Sequence, residues 1–247
     1  MKIFVDTANL QDIEEALKRG FIRGITTNPS LLSKEPKTEF KAHIGRIIEL
    51  IRRHKVSLMG KPHLSVEVFS RNPDEILRQA MDFRETFQYD ALSVKVQIGW
   101  DELEVIRQLN ERGFSVNCTC CMSVNQAMLA AAAGARYVSL FWGRIRDGAN
   151  DKSINDRAKA IENGVLDESD FDPAQVVSRT RKLLHVSYPR VEIIAGSIRT
   201  ATDIRDAALA GAHIVTVPPK FFPQMVSHFK TDEVVNQFLT DFERWLS

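Results

Sequence analysis

A lysine stands in the middle of an apolar run, LSVKVQ at 92–97. If the run is a strand, Leu92, Val94 and Val96 share one face and Ser93, Lys95 and Gln97 the other. On an edge strand Lys95 is an ordinary solvated charge. Pointing into a closed barrel, it must find a carboxylate or lose its proton. A neutral amine, reached by desolvation from a solution pKa of about 10.4, is what Schiff-base formation with a carbonyl requires. Asp6 and Glu67 could serve as its partner or as acid–base groups. Arg144 and Arg199 suit a different need. Arg199 lies with Ser197 just before a helix opening at Thr200, and two guanidinium forks beside a helix N-terminus make an anion site of phosphate geometry.

These residues need a scaffold that gathers them. Short β-rich runs alternate with amphipathic ones along the chain: KIFVD, GITTN, LSVEVF, LSVKVQ, SVNCT, YVSLFW, VEIIAG and HIVTVP each precede a helical pattern. Asn72, followed by Pro73, Asp74 and Glu75, predicts a helix start, as does the Thr200–Asp203 capping pattern. Gly20, Gly113, Gly134 and Gly211 predict stops. Eight such cycles imply parallel strands and a (β/α)8 barrel, here a single domain over 1–247. An open doubly wound sheet is the alternative, and no G-x-G-x-x-G follows any strand to support it. Barrel active sites gather at the C-terminal ends of the strands. The polar residues there are Asp6; Thr26, Thr27 and Asn28; Glu67; Lys95; Asn117 and Thr119; Ser139 and Arg144; Ser197 and Arg199. Each has a plain alternative, such as a helix cap for Asp6, a turn for Asn28 and surface pairing for either arginine. Barrel interiors are mostly branched and apolar, so this many polar groups on one rim is a signal.

Bulk properties bound the function. A formal net charge of +1 argues against a basic nucleic-acid face. No apolar run approaches the roughly 20 residues of a membrane span. The opening, MKIFVDTANL, turns polar too early for a secretory signal, so a cytoplasmic protein is expected. Cys118, Cys120 and Cys121 are an odd cluster without a second ligand pair, which predicts reduced thiols rather than disulfides or zinc. The polar segment 147–172 is expected to be a surface excursion or, alternatively, a lid. The region 219–247 is expected to be helical, with Phe242, Trp245 and Leu246 forming an apolar face for this barrel or for a neighbouring subunit.

FVDTANL, GITTNPSLL, LSVEV, VKV, VNCT, the GRI segment, GS.R and AGAHIVTVP, in this order, resemble the transaldolase family in its short form, which includes fructose-6-phosphate aldolase. The resemblance implies a class I aldol mechanism without a cofactor or metal. Lys95 matches the Schiff-base lysine and Asp6 the acid–base carboxylate. Glu67 and Thr119 match a water-positioning pair. Asn28 matches a substrate-hydroxyl ligand, with Thr27 and Asn117 beside it. Arg144, Ser197 and Arg199 match the phosphate cradle, and Ser139 and Phe141 the walls of the three-carbon unit. The implied substrates are sugar phosphates of the pentose phosphate pathway: sedoheptulose 7-phosphate or fructose 6-phosphate as donor, and an aldose phosphate as acceptor. Glu67 and Phe141 match transaldolases, where the aldolases have Gln and Tyr. The alternatives are an aldolase releasing free dihydroxyacetone and a non-catalytic sugar-phosphate-binding barrel. Relatives of this form assemble into rings, so a homo-oligomer is expected. QIGW at 97–100, the Cys120–Cys121 pair and the longer 147–172 segment depart from the usual pattern.

Overall fold

A computed structural model describes residues 1–54, 61–149 and 154–247. Eight parallel strands close on themselves in sequence order: β1 (Lys2–Asp6), β2 (Gly24–Thr26), β3 (His63–Glu67), β4 (Leu92–Gln97), β5 (Val116–Cys121), β6 (Tyr137–Phe141), β7 (Glu192–Gly196) and β8 (Ile214–Val217). β8 pairs with β1 and leaves no open edge. The expected (β/α)8 barrel is therefore the observed fold.

The helices are α1 (Leu10–Lys18), α2 (Pro29–Leu32), α3 (Phe40–Arg53), α4 (Pro73–Phe87), α5 (Trp100–Glu111), α6 (Val124–Ala132), α7 (Trp142–Gly148), α8 (Ile154–Glu162), α9 (Pro173–Ser187), α10 (Ala201–Leu209), α11 (Phe222–Val226) and α12 (Phe229–Leu246). Their starts obey local chemistry. Asn72 Oδ1 accepts from Glu75 N, and Thr200 and Asp203 form a reciprocal capping box. Asn9, not Asp6, caps α1, which leaves the Asp6 carboxylate available. Gly113 and Gly211 follow α5 and α10 with φ of +74° and +100°. That left-handed turn lets Gly113 N reach Asn110 O and Phe114 N reach Leu109 O, closing the helix end.

The strands' two faces diverge as a barrel requires. Outward residues, among them Val5, Ile25, Val66 and Val96, are fully buried in one cluster with Ile13, Ile44, Ile76 and Ile106 of the surrounding helices. Each such side chain contributes about 1.5–3 kcal/mol of burial free energy. Inward residues change character along the axis. At the N-terminal end Phe4, Ile194 and Ile214 form a plug. His63 stacks on Phe4, and Gly24 leaves room for that ring, since a Cβ there would stand 2.8 Å from it. Burial, reinforced by the charges of Lys2 and Arg136, pushes the His63 pKa down to about 3, so its ring is neutral. Toward the C-terminal end the interior becomes polar.

Between β6 and α9 the chain forms α7, α8 and a 3-10 turn at Glu168–Phe171, and none of residues 155–172 is buried, so the segment is a surface excursion that carries short helices. Residues 150–153 within the 147–172 segment lie outside the described residues. α12 is amphipathic yet buries no residue against its own barrel, and Phe238, Phe242 and Trp245 are all exposed. Of the two expected destinations for this face, the barrel of this chain does not cover it in this structure.

Candidate active site

Parallel strands end on one rim, where Asp6 and Glu67, the last residues of β1 and β3, gather with Lys95 near the end of β4. Strand register places Lys95 between Glu67 on β3 and Asn117 on β5. Val94 and Val96 face the helix layer, and Lys95 points inward with its side chain only 6% exposed. Its Nζ donates to Glu67 Oε2 at 2.8 Å and to the Thr27 carbonyl at 2.9 Å. Of the two outcomes open to an inward lysine, it has found a carboxylate. The partner is Glu67, not Asp6.

Asp6 keeps part of its surface at the mouth of the barrel, where Thr26 Oγ1 donates to its Oδ1 at 2.7 Å. Thr26 in turn shares a hydrogen bond with Thr216 at 2.5 Å. Desolvation raises the Asp6 carboxyl above the usual aspartate range. The Thr26 hydroxyl and the Lys95 charge oppose the rise, and the Glu67 charge adds to it. Two carboxylates and an amine thus act on one another at this rim, with the carboxylates in unlike environments.

Below them runs a buried polar chain. Ser139 Oγ donates to Asn117 Oδ1 at 2.8 Å, Asn117 Nδ2 donates to Ser65 Oγ at 3.1 Å, and Ser65 meets the His63 ring. Asn117 and Ser139 therefore satisfy each other, and their contacts brace the floor beneath Lys95. Thr119, level with Gln97 on β4, is fully buried. Its hydroxyl makes no hydrogen bond of ordinary geometry among the described residues, leaving a weak contact with the adjacent Cys120 thiol. A buried hydroxyl left so is costly unless the site supplies a partner. Thr27 Oγ1 donates to the Ser65 carbonyl. Asn28 Oδ1 caps α2 by accepting from Leu31 N, so the turn chemistry expected of an Asn-Pro pair is present as well.

A bulge in β5 sets the cysteines apart. Cys120 has φ of +61°, and pairing with β6 slips between Cys118 and Cys121. The slip turns Cys118 and Cys121 to the same buried side, with sulfurs 3.8 Å apart, while Cys120 is half-buried. All three are free thiols, as expected.

Arg144 on α7 and Arg199 after β7 come together. Both guanidinium groups approach the same atom, Asp147 Oδ2, Arg199 Nη2 at 2.6 Å and Arg144 Nη1 at 4.0 Å. Pairing with a surface carboxylate, the plain alternative for each, is thus observed. The shared oxygen also marks one point on which two cations converge. Ser197 adopts φ of +58° in this turn, and its carbonyl accepts from Gly143 N at 3.0 Å. Phe141 ends β6 beside these groups as the residue preceding α7.

A sequence profile described as Transaldolase/Fructose-6-phosphate aldolase matches residues 3–246. The chain belongs to this family. Among relatives of this transaldolase/fructose-6-phosphate aldolase chain, the "Probable transaldolase" of Symbiobacterium thermophilum is 35% identical over 243 residues, covering 98% of this chain and 97% of the relative. The "Probable transaldolase" of Alkaliphilus metalliredigens is also 35% identical, covering 98% of both. A solved structure of thiamine phosphate pyrophosphorylase from Pyrococcus furiosus superposes with a TM-score of 0.54 at 14% identity, covering 88% of this chain and 85% of that one; it speaks to the barrel alone.

Three groups of this family member were not legible in the sequence as parts of the site. Asp147 is the shared partner of both arginines. Arg146 and Asp203 are a buried-to-surface ion pair beside them. Asp203 was visible as a helix cap, and its place four residues after Arg199 was the available hint. Gln97, within the unusual QIGW, donates to the Ser70 carbonyl and to Glu102 Oε1, tying the end of β4 to the loop after β3 and to the first turn of α5. Among the described residues no group of three or more His, Cys, Asp or Glu could hold a metal ion, and no helix is long and apolar enough to cross a membrane.

Proposed function

We propose that the chain is a transaldolase that carries a dihydroxyacetone unit between sugar phosphates on Lys95. The observation that carries this reading is the inward Lys95–Glu67 pair on a rim that also holds the raised carboxyl of Asp6. Glu67 takes the ammonium proton, and the freed amine attacks C2 of the ketose phosphate. Water leaves through Glu67 and the Thr119 hydroxyl, giving an iminium. Asp6 then takes the C4 hydroxyl proton as C3–C4 breaks, and the bonding pair passes into the iminium to form an enamine. The first aldehyde departs. The enamine carbon attacks the acceptor carbonyl, Asp6 returns its proton, and water added at C2 releases the new ketose. Asn28, Thr27, Asn117 and Ser139 surround the sugar hydroxyls in this reading. Phe141 walls the three-carbon unit, and Arg144, Ser197 and Arg199 hold the phosphate. The iminium is the electron sink, so the steps call for no metal. The same reading makes the enzyme cytoplasmic and its partners small molecules, not nucleic acid or membrane.

Phe141 favours transfer over release, because it supplies no phenol to protonate the enamine. Fructose 6-phosphate alone is expected to give negligible free dihydroxyacetone, and adding an aldose phosphate acceptor should start carbon transfer. Phe141→Tyr should raise dihydroxyacetone release at least about tenfold, less than the ~10²–10⁴ of a fully placed proton donor. Release by the unmodified protein without acceptor, at a rate matching transfer, would make it an aldolase instead.

The exposed apolar face of α12 supports a homo-oligomer. Sedimentation should show an assembly that reverts to monomer when residues 228–247 are deleted; an unmodified monomer at micromolar concentration refutes it.

A further inference from the structure

The anion end of the rim is made from two separate pieces of chain. α7 carries Arg144, and the turn between β7 and α10 carries Ser197 and Arg199. Strand pairing aligns β6 with β7 but does not set how α7 lies against that turn. The contacts between the pieces do. Gly143 is pressed against the turn so closely that a Cβ there would stand 2.3 Å from Ser197 O and 2.7 Å from Arg199 Nε.

The strongest tie is one carboxylate. Asp203 Oδ1 accepts from Trp142 Nε1 at 3.2 Å and from Arg146 Nη1 at 2.7 Å. Its Oδ2 accepts from Arg199 N at 2.9 Å and Thr200 N at 3.0 Å, with Arg146 Nη2 at 3.3 Å. A helix cap needs only the second oxygen and the backbone N–H groups. Here the first oxygen reaches across to the start and the middle of α7, two residues either side of Arg144. Asp203 is 3% exposed, so its charge is buried and would be costly without the Arg146 fork. Burial alone would raise its carboxyl, yet the Arg146 guanidinium and the N–H groups of Arg199 and Thr200 hold it below the usual range.

We propose that Arg146 and Asp203 are positioning residues for phosphoryl binding, a clamp that holds α7 to the β7–α10 turn so that Arg144 and Arg199 face one anion. The inference rests on the phosphate role given to those arginines above. Neither clamp residue needs to touch substrate. Their loss lets the two guanidinium groups drift apart, which weakens every ligand held by its phosphate and leaves the Lys95 end in place.

The test uses the full-length protein, with fructose 6-phosphate as donor and inorganic phosphate as inhibitor. Arg146→Met should raise KM for fructose 6-phosphate and the inhibition constant of phosphate together, each by about tenfold, a modest share of what ångström-scale misplacement can cost. The kcat at saturation should stay within about twofold. Arg146→Lys keeps the charge without the fork and should fall between. Asp203→Asn keeps a capping oxygen and should shift both constants in the same direction. Arg107→Met, at an exposed pair with Glu111 on α5, is the control and should change nothing. Unchanged KM and phosphate inhibition in Arg146→Met and Asp203→Asn, with the unmodified protein binding both ligands, overturns the clamp alone. So does a fall in kcat at constant KM. If the unmodified protein binds neither ligand, the phosphate reading itself fails.

Discussion

Replacing Lys95 by alanine is expected to lower carbon transfer by at least about 10⁴-fold, because the covalent route disappears and nothing nearby can replace it. Borohydride added with fructose 6-phosphate should reduce the iminium to a stable secondary amine on Lys95 of the unmodified protein. Peptide mapping should find that mass on the peptide containing residue 95 and on no other. Lys95→Arg separates chemistry from structure: it keeps a cation for Glu67, whose side chain is only 15% exposed, but cannot form the adduct. It should fold and still give no trapped product. An adduct that persists in Lys95→Ala would move the chemistry to another amine and undo the proposed mechanism.

Asp6→Asn is expected to lower kcat by about 10²–10⁴-fold, the usual contribution of a positioned acid–base group. Trapping should survive, since iminium formation is assigned to Glu67 and Thr119. Loss of trapping together with turnover would instead give Asp6 a part in forming the Schiff base. The raised Asp6 carboxyl adds two signs. Asp6 works as a base only when ionised, so the acid limb of the unmodified enzyme's kcat profile should lie above the roughly 3.9 of an ordinary aspartate. For stability, the folded state holds this proton more tightly than the unfolded chain does. The associated stabilisation is complete below the unfolded pKa and is lost as pH rises through the folded one. Asparagine removes that loss. The variant should therefore gain Tm relative to the unmodified protein at pH 7 and gain little or nothing at pH 3.5. An equal shift at both values would show that Asp6 is not strained by burial.

Architecture was legible because period-2 and period-3.6 patterns follow directly from which faces are covered. The alternation that turns Lys95 inward is the same one that sends Val94 and Val96 to the helix layer. Caps and stops were legible for a related reason: Asn72, Thr200 and Gly113 act within a few residues of themselves. Partnerships across the barrel were not. Nothing local distinguishes Glu67 from Asp6 as the companion of Lys95; the strand register decides it. Asn117 and Ser139 looked like free polar groups, and only closure of the barrel brings them within hydrogen-bond distance of each other. α7 was hidden because seven residues after a strand carry too little periodicity to separate a helix from a loop. The destination of α12 was open from sequence for the same reason, since an amphipathic face announces a partner but not whose.

The kink at Cys120 has a practical side. Three neighbouring sulfurs would normally react as a set. By folding two of them away together, β5 leaves a single one within reach of solvent, close enough to Lys95 and Glu67 to feel their charges. Burial keeps that thiol above its ordinary pKa, so its modification is slow near neutrality and is favoured only as the solution becomes more strongly alkaline. A dye or spin label coupled to the native chain would then sit near Lys95 and Glu67, without any cysteine having to be engineered in or out.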